Sequence, residues 1–188
     1  MTDANGLIEV SVASLGLDKA SNTPVVILKE NDGDRLLPIW IGPGEASAIA
    51  MELAGVKFSR PLTHDLLTTI VRGLGSELVR VVITKVVENT YYASLILRRD
   101  GDFISVDSRP SDSIALALRS RAPIYADGEL LEITSMEIEE AGFEEADYDS
   151  PGASGEGSGP VREDPTDGEQ LRDYLKGLNP EDFGRFQP

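Results

Sequence analysis

Two copies of the tripeptide Ser-Arg-Pro occur in this chain, at Ser59-Arg60-Pro61 and Ser108-Arg109-Pro110. Each runs into a segment that reads as a helix start, Thr63-His64-Asp65-Leu66-Leu67 after the first and Ser111-Asp112-Ser113-Ile114-Ala115 after the second. Proline biases the residue before it towards extended backbone, so both arginines are expected just ahead of a helix N-terminus. That end of a helix presents free N–H groups and the positive pole of the macrodipole. The guanidinium adds a planar fork of donors suited to carboxylate or phosphate. Two such corners in one small domain suit an anionic ligand. Each arginine could equally pair with a nearby acid and brace its own turn, and the sequence leaves both readings open.

Acids and a single histidine accompany the two corners. Asp107 and Asp112 stand astride the second tripeptide, Glu45 falls in the first turn of an expected helix, and His64 and Asp65 follow the first tripeptide. Carboxylates of this kind suit Mg²⁺ or Mn²⁺. The chain has no cysteine, which excludes a disulfide framework and a cysteine-ligated zinc site, and no signal for an organic cofactor is present. His64 is the only side chain whose ordinary pKa lies near neutrality. Each acid also has a structural reading: Glu45, Asp65 and Asp112 are first-turn carboxylates, which stabilise a helix start on their own, and Asp107 ends a strand where it could cap or pair with Arg109.

These residues must be positioned by an α+β domain. Ile8, Val10 and Val12 alternate with polar residues, as in a half-buried strand. Residues 24–28 and 36–41 read as strands joined through Asn31-Asp32-Gly33-Asp34. A helix follows with Ala46, Ile49, Ala50 and Leu53 on one face, Pro43 at its start and Gly55 past its end. A second helix carries Leu66, Leu67, Ile70, Val71 and Leu74, with Thr63 as N-cap. Residues 78–87, a turn at Asn89-Thr90, residues 91–97 and the Asp100-Gly101 turn into 103–107 read as successive antiparallel strands. The second Ser-Arg-Pro opens a third helix with Ile114, Ala115 and Leu118 inward, and residues 124–126 add a short strand. Consecutive hairpins imply a largely antiparallel sheet with about three packed helices.

The chain has 188 residues and a net charge of −16, unevenly spread. Residues 1–128 hold 16 acids against 13 Lys/Arg, whereas residues 129–188 hold 17 against 4. The domain is expected over residues 1–140 and an acidic Gly/Ser/Pro-rich linker over 141–165, disordered because it has nothing to bury. A short helical segment is expected over 166–188. There Thr166 and Glu169 form a capping box, and Leu171, Tyr174, Leu175 and Leu178 make an apolar stripe. No apolar segment approaches a signal peptide or membrane span, so a cytoplasmic protein with no membrane partner is expected.

One ordered series carries a family resemblance. It comprises Leu37-Pro38-Ile39-Trp40-Ile41-Gly42, Glu45-Ala46, Ile49-Ala50, Arg60-Pro61 and Thr63-His64-Asp65-Leu66-Leu67. It continues through residues 107–119, from Asp107 to Arg119, and closes at Ala122-Pro123-Ile124-Tyr125. The series resembles the bifunctional nuclease domain family over roughly residues 6–135. The resemblance implies a compact α+β fold and, for plant relatives, nuclease activity on RNA and DNA.

Phosphodiester hydrolysis assigns roles to the same residues. His64, Asp65, Asp107 and Asp112 are the candidate catalytic groups, Arg60 and Arg109 the phosphate clamp, and Glu45, Asp107 and Asp112 the candidate ligands for Mg²⁺ or Mn²⁺. All of them are expected to face one cleft. The near-neutral body lacks the charge to hold a long duplex, so the expected substrate is short or single-stranded RNA or DNA. The alternative is a non-catalytic regulatory module that binds a small anion such as a nucleotide, or a protein partner, through the same corners. A homo-oligomer, with a two-fold dimer favoured, is expected in either case.

Overall fold

The computed structural model describes residues 6–18 and 21–141 of the chain. The expected linker and C-terminal helix therefore lie outside the described residues. The elements run β1 (Leu7–Asp18), β2 (Thr23–Glu30), β3 (Leu36–Trp40), α1 (Pro43–Leu53), α2 (Thr63–Gly73), β4 (Ser76–Val87), β5 (Thr90–Arg99), β6 (Asp102–Ser108), α3 (Pro110–Ser120), β7 (Ile124–Asp127) and α4 (Gly128–Ala141). The fold is α+β, as the hairpin pattern implies.

Seven strands form one sheet in the order β3-β2-β1-β7-β4-β5-β6. Every pair is antiparallel except β4 with β7, which run parallel. That single parallel pair follows from the connection through α3, which returns the chain to slot β7 between β1 and β4. The Asp100-Gly101 turn joins β5 and β6, with Arg99 opposite Asp102. Both turn residues have positive φ, 53° and 94°, the geometry that matches strand twist in a two-residue hairpin. The turn before β5 sits one residue earlier than the sequence implied. Glu88 and Asn89 take the left-handed conformations, and Val87 pairs with Thr90.

The core is built from one face of the sheet and from α1 and α3. Ile8, Val26, Leu28, Leu37, Ile49, Val81, Ile83, Ile114 and Leu131 are all buried. α3 packs against both α1 and α2 and against β4 and β5. Its residues Pro110, Ser111 and Ser113 to Ala117 are buried nearly all round, so its small side chains are what let neighbouring helices approach.

Three details depart from the sequence reading. A fourth helix, α4, is present. Its acidic residues read as the beginning of the tail, but Asp127 caps it by accepting from the N–H groups of Glu129 and Leu130 (2.9 and 3.4 Å), and Leu130 and Leu131 are buried. α2 starts at Thr63 with Leu62, not Thr63, at its N-cap. There the Asp65 carboxylate accepts from the Leu62 N–H at 2.9 Å, so the cap comes from inside the helix. Finally, Leu53 on α1 and Leu66, Leu67, Ile70 and Leu74 on or just after α2 are exposed rather than inward. α2 packs instead through its polar side, around Thr68 and Asp65.

Two glycines, Gly73 at the end of α2 and Gly101 in the β5–β6 turn, separate backbone strain from packing. A Cβ at Gly101 or at Gly73 would meet nothing within 4 Å, but only Gly101 has a positive φ, +94°. Gly101→Ala is expected to lower stability by about 1 kcal/mol, while Gly73→Ala leaves it unchanged or raises it by about 0.5 kcal/mol. Urea unfolding of the two variants checks the contrast.

Candidate functional site

Three helix starts meet at one place, and each contributes a side chain from its first turn. Glu45 comes from α1, His64 from α2 and Asp112 from α3. Arg109 is the N-cap residue of α3, with extended backbone (φ −73°, ψ 145°), as its position before proline requires. Its main chain is pinned from below. The Ser113 hydroxyl, fully buried, donates to the Arg109 carbonyl at 3.0 Å, and lies 2.6 Å from the Ser108 hydroxyl at the end of β6.

The four side chains form one chain of contacts. The Arg109 guanidinium donates from Nη2 to Glu45 Oε1 at 2.8 Å and from Nε to Asp112 Oδ2 at 2.8 Å. The other Asp112 oxygen, Oδ1, lies 3.2 Å from His64 Nε2. Burial raises the Asp112 pKa, but the hydrogen bonds from Arg109 and His64 outweigh it and hold the carboxyl below its usual value. An ionised carboxylate can only accept. His64 therefore donates to it from Nε2, which leaves Nδ1 as the second ring nitrogen. His64 makes no other side-chain hydrogen bond among the described residues, and its side chain is 13% exposed. Asp112 and Glu45 in turn raise the Arg109 pKa. Arg109 is 66% exposed, so its remaining N–H groups face outward and can receive an anion.

A second arginine, which the sequence reading placed only near the end of α3, ties the three helices together behind this cluster. Arg119 is 6% exposed. It donates from Nε to Asp65 Oδ1 on α2 (2.6 Å), from Nη2 to the Ala48 carbonyl on α1 (3.1 Å) and from Nη1 to the Ala115 carbonyl on α3 (3.1 Å). Glu52 stands 3.8 Å away. A basic residue in a helix's last turn ordinarily reads as complementing the dipole. Nothing local in the sequence marks this one as buried.

The structure thus brings Glu45, His64, Arg109 and Asp112 together and sets three expected residues apart. Asp65 is occupied by Arg119 and by the cap of α2. Asp107 is exposed on β6 opposite Ser94, with no ion pair among the described residues. Arg60 is exposed ahead of α2 and joins none of these contacts. The carboxylates on hand for a divalent cation are Glu45 and Asp112, and both are bonded to Arg109. No group of three or more His, Asp or Glu side chains among the described residues is arranged to hold a metal. To ligate a cation, either carboxylate would have to give up its bond to Arg109.

Linkage gives a test of the buried pair. Burial raises the Asp65 pKa, but bonds from Arg119 and the Leu62 N–H outweigh it, so the folded value is lowered. A lowered folded pKa means that the unfolded chain binds more protons. The stability from this group is therefore complete above the unfolded value of about 3.9 and disappears as pH falls through the folded value. Asp65→Asn is expected to cost about 2 kcal/mol near neutral pH, discounted for the partial exposure of Asp65. The difference from wild type is expected to shrink at about pH 3. Urea titrations at the two pH values measure it.

Comparison with known proteins gives the site its context. The family model described as the bifunctional nuclease domain matches residues 26–139, which span every residue of the cluster. A Mycobacterium tuberculosis protein of uncharacterised function is 41% identical over 175 residues, covering 93% of this chain and 97% of the relative. Bifunctional nuclease 1 of Arabidopsis thaliana is 32% identical over 123 residues, covering 63% of this chain and 38% of the relative. Bifunctional nuclease 2 of Oryza sativa subsp. japonica is 29% identical, covering 60% and 38%. The match to these plant proteins spans little more than a third of their length.

Proposed function

This chain belongs to the bifunctional nuclease domain family, and from that premise we propose that it hydrolyses phosphodiester bonds of short or single-stranded RNA or DNA at the Glu45–Arg109–Asp112–His64 cluster. The observation that carries the reading is the shared carboxylate of Asp112, which holds His64 through Nε2 with one oxygen and Arg109 with the other. A base and a phosphate clamp are thereby fixed relative to each other. His64 Nδ1 takes a proton from the attacking water or ribose 2′-hydroxyl as its oxygen bonds to phosphorus, Asp112 steadies the imidazolium that forms, and the imidazolium returns that proton to the departing oxygen as its P–O bond breaks. The exposed N–H groups of Arg109, aided by the positive ends of the three helices, bear the charge that develops on the phosphoryl oxygens. Glu45 holds the guanidinium in place from the other side. No step is routed through a metal, since Glu45 and Asp112 are both bonded to Arg109.

Composition supports a small substrate. The body carries no Lys/Arg-rich segment that could follow a long duplex, and affinity for a duplex rests mainly on such contacts. No helix among the described residues is long and apolar enough to cross a membrane.

A second reading has an observation in its favour. Both carboxylates are committed to Arg109, which is the arrangement of a site that binds a small anion, such as a nucleotide, without turning it over. Turnover separates the two. With a labelled single-stranded oligonucleotide, the wild type is expected to cleave in the presence of chelator. His64→Gln and Arg109→Lys, folded as judged by circular dichroism, are each expected to be slower by about 100-fold. Saturable stabilisation of the wild type by nucleotide, weakened in Arg109→Lys and with no cleavage by any of the three proteins, is the result that favours the binding module.

A further inference from the structure

The two edges of the sheet are protected unequally. β3, at one edge, has five residues and carries Pro38, and α4 packs against it. Thr134 of α4 also reaches the Leu36 carbonyl (3.4 Å). Proline, short length and a covering helix are the usual means of keeping an edge strand from pairing with another chain. Among the described residues β6, at the other edge, has none of them. There it pairs in unbroken register with β5 alone, from Ala93–Ser108 to Arg99–Asp102. Residues 102–107 are all exposed, including Phe103 (66%), Ile104 (42%) and Val106 (38%). It contains no proline or lysine, and no bulge interrupts it.

We propose that the partner of this edge is a second copy of the same chain, its β6 lying antiparallel to the first across a two-fold axis perpendicular to the sheet. Symmetry restricts the register. Residues directly opposite in an antiparallel pair share a face of the sheet, and a two-fold of this kind keeps both helical layers on the same side. Position i must therefore meet a position of the same parity. Centring the axis on Ser105 satisfies this and is the one choice that pairs the whole of β6.

The charges and the apolar residues fit that register. Ile104 meets Val106 of the second copy, twice, once on each side of the axis. Asp102 meets Ser108 and Asp107 meets Phe103, so no two aspartates oppose each other; like charges directly opposite would be destabilising. Each aspartate also falls in a cross-strand row with an arginine of β5. Arg98 is opposite Phe103 and hence in line with the second copy's Asp107, and Arg99 is opposite Asp102 itself. The result is one continuous sheet with an isologous interface. Because β6 ends at Ser108, one residue before Arg109, this pairing braces the strand that leads into each site. The proposal stands independently of the chemistry at that site.

The absence of cysteine makes the register directly testable in the full-length chain. Opposed Cα atoms in an antiparallel pair are about 4.5–5.5 Å apart, inside the range that a disulfide spans. Ser105→Cys is expected to form a covalent dimer under mild oxidation about tenfold or more faster than Phe103→Cys, whose copies would be displaced along the strand. Sedimentation velocity is expected to give twice the chain mass for the wild type and the single-chain mass for Ile104→Lys, which changes an exposed position. If Ile104→Lys fails to fold, the cysteine comparison still decides. A monomeric wild type at about 100 μM, or Ser105→Cys cross-linking no faster than Phe103→Cys, overturns the proposal.

Discussion

The burial of a single guanidinium, that of Arg119, constrains the whole site. A charge taken out of water is tolerated only when its donors are met. Arg119 meets this demand with partners from three different helices: the Asp65 carboxylate of α2, the Ala48 carbonyl of α1 and the Ala115 carbonyl of α3. No one helix could supply them, so satisfying this one side chain sets the spacing of all three. Their first turns then meet a short distance away, and the cluster follows from where those turns lie.

Convergent helix starts create a second electrostatic problem, and the site is its solution. Three positive dipole ends brought together repel one another unless negative charge is placed among them. Glu45 and Asp112 provide it. Two carboxylates side by side then need a cation, and Arg109 lies between them. The charges alternate around the cluster, with its one cation still 66% exposed. A structural brace would bury that guanidinium as Arg119 is buried. Arg119 and Arg109 therefore illustrate two uses of the same residue, one closed by backbone carbonyls and one open to a ligand.

Much of this was legible in the sequence because it rests on local rules. Proline after Arg109 dictates its extended backbone, Asp100-Gly101 dictates the hairpin, and Asp112 and Glu45 occupy first-turn positions where carboxylates are favoured. What escaped were features decided by distant partners. The Ser-Arg-Pro repeat treated Arg60 and Arg109 as equals, but among the described residues only Arg109 is met by acids, Glu45 and Asp112. Asp65 and Asp112 occupy the same position in their helices, yet one is taken by Arg119, 54 residues on. α4 was hidden by composition, since its acidic sequence resembles the tail, while Leu130, Leu131 and Thr134 are buried. The apolar stripe of α2 misled in the opposite sense, because amphipathic spacing predicts which residues share a face and not whether that face is covered.

The central claim is that Arg119 positions the His64–Asp112 pair without touching it. The chain has one histidine, so its ring N–H proton can be followed by NMR without ambiguity. The Nε2 proton held by the Asp112 carboxylate is expected as a slowly exchanging, downfield resonance in the wild type and is expected to be lost in Asp112→Asn. Arg119→Lys keeps the charge but loses the fork that reaches α1, α2 and α3 together. The account predicts that in folded Arg119→Lys this resonance broadens away or exchanges as fast as in Asp112→Asn. A ring N–H signal in that variant with wild-type position and exchange rate would contradict it.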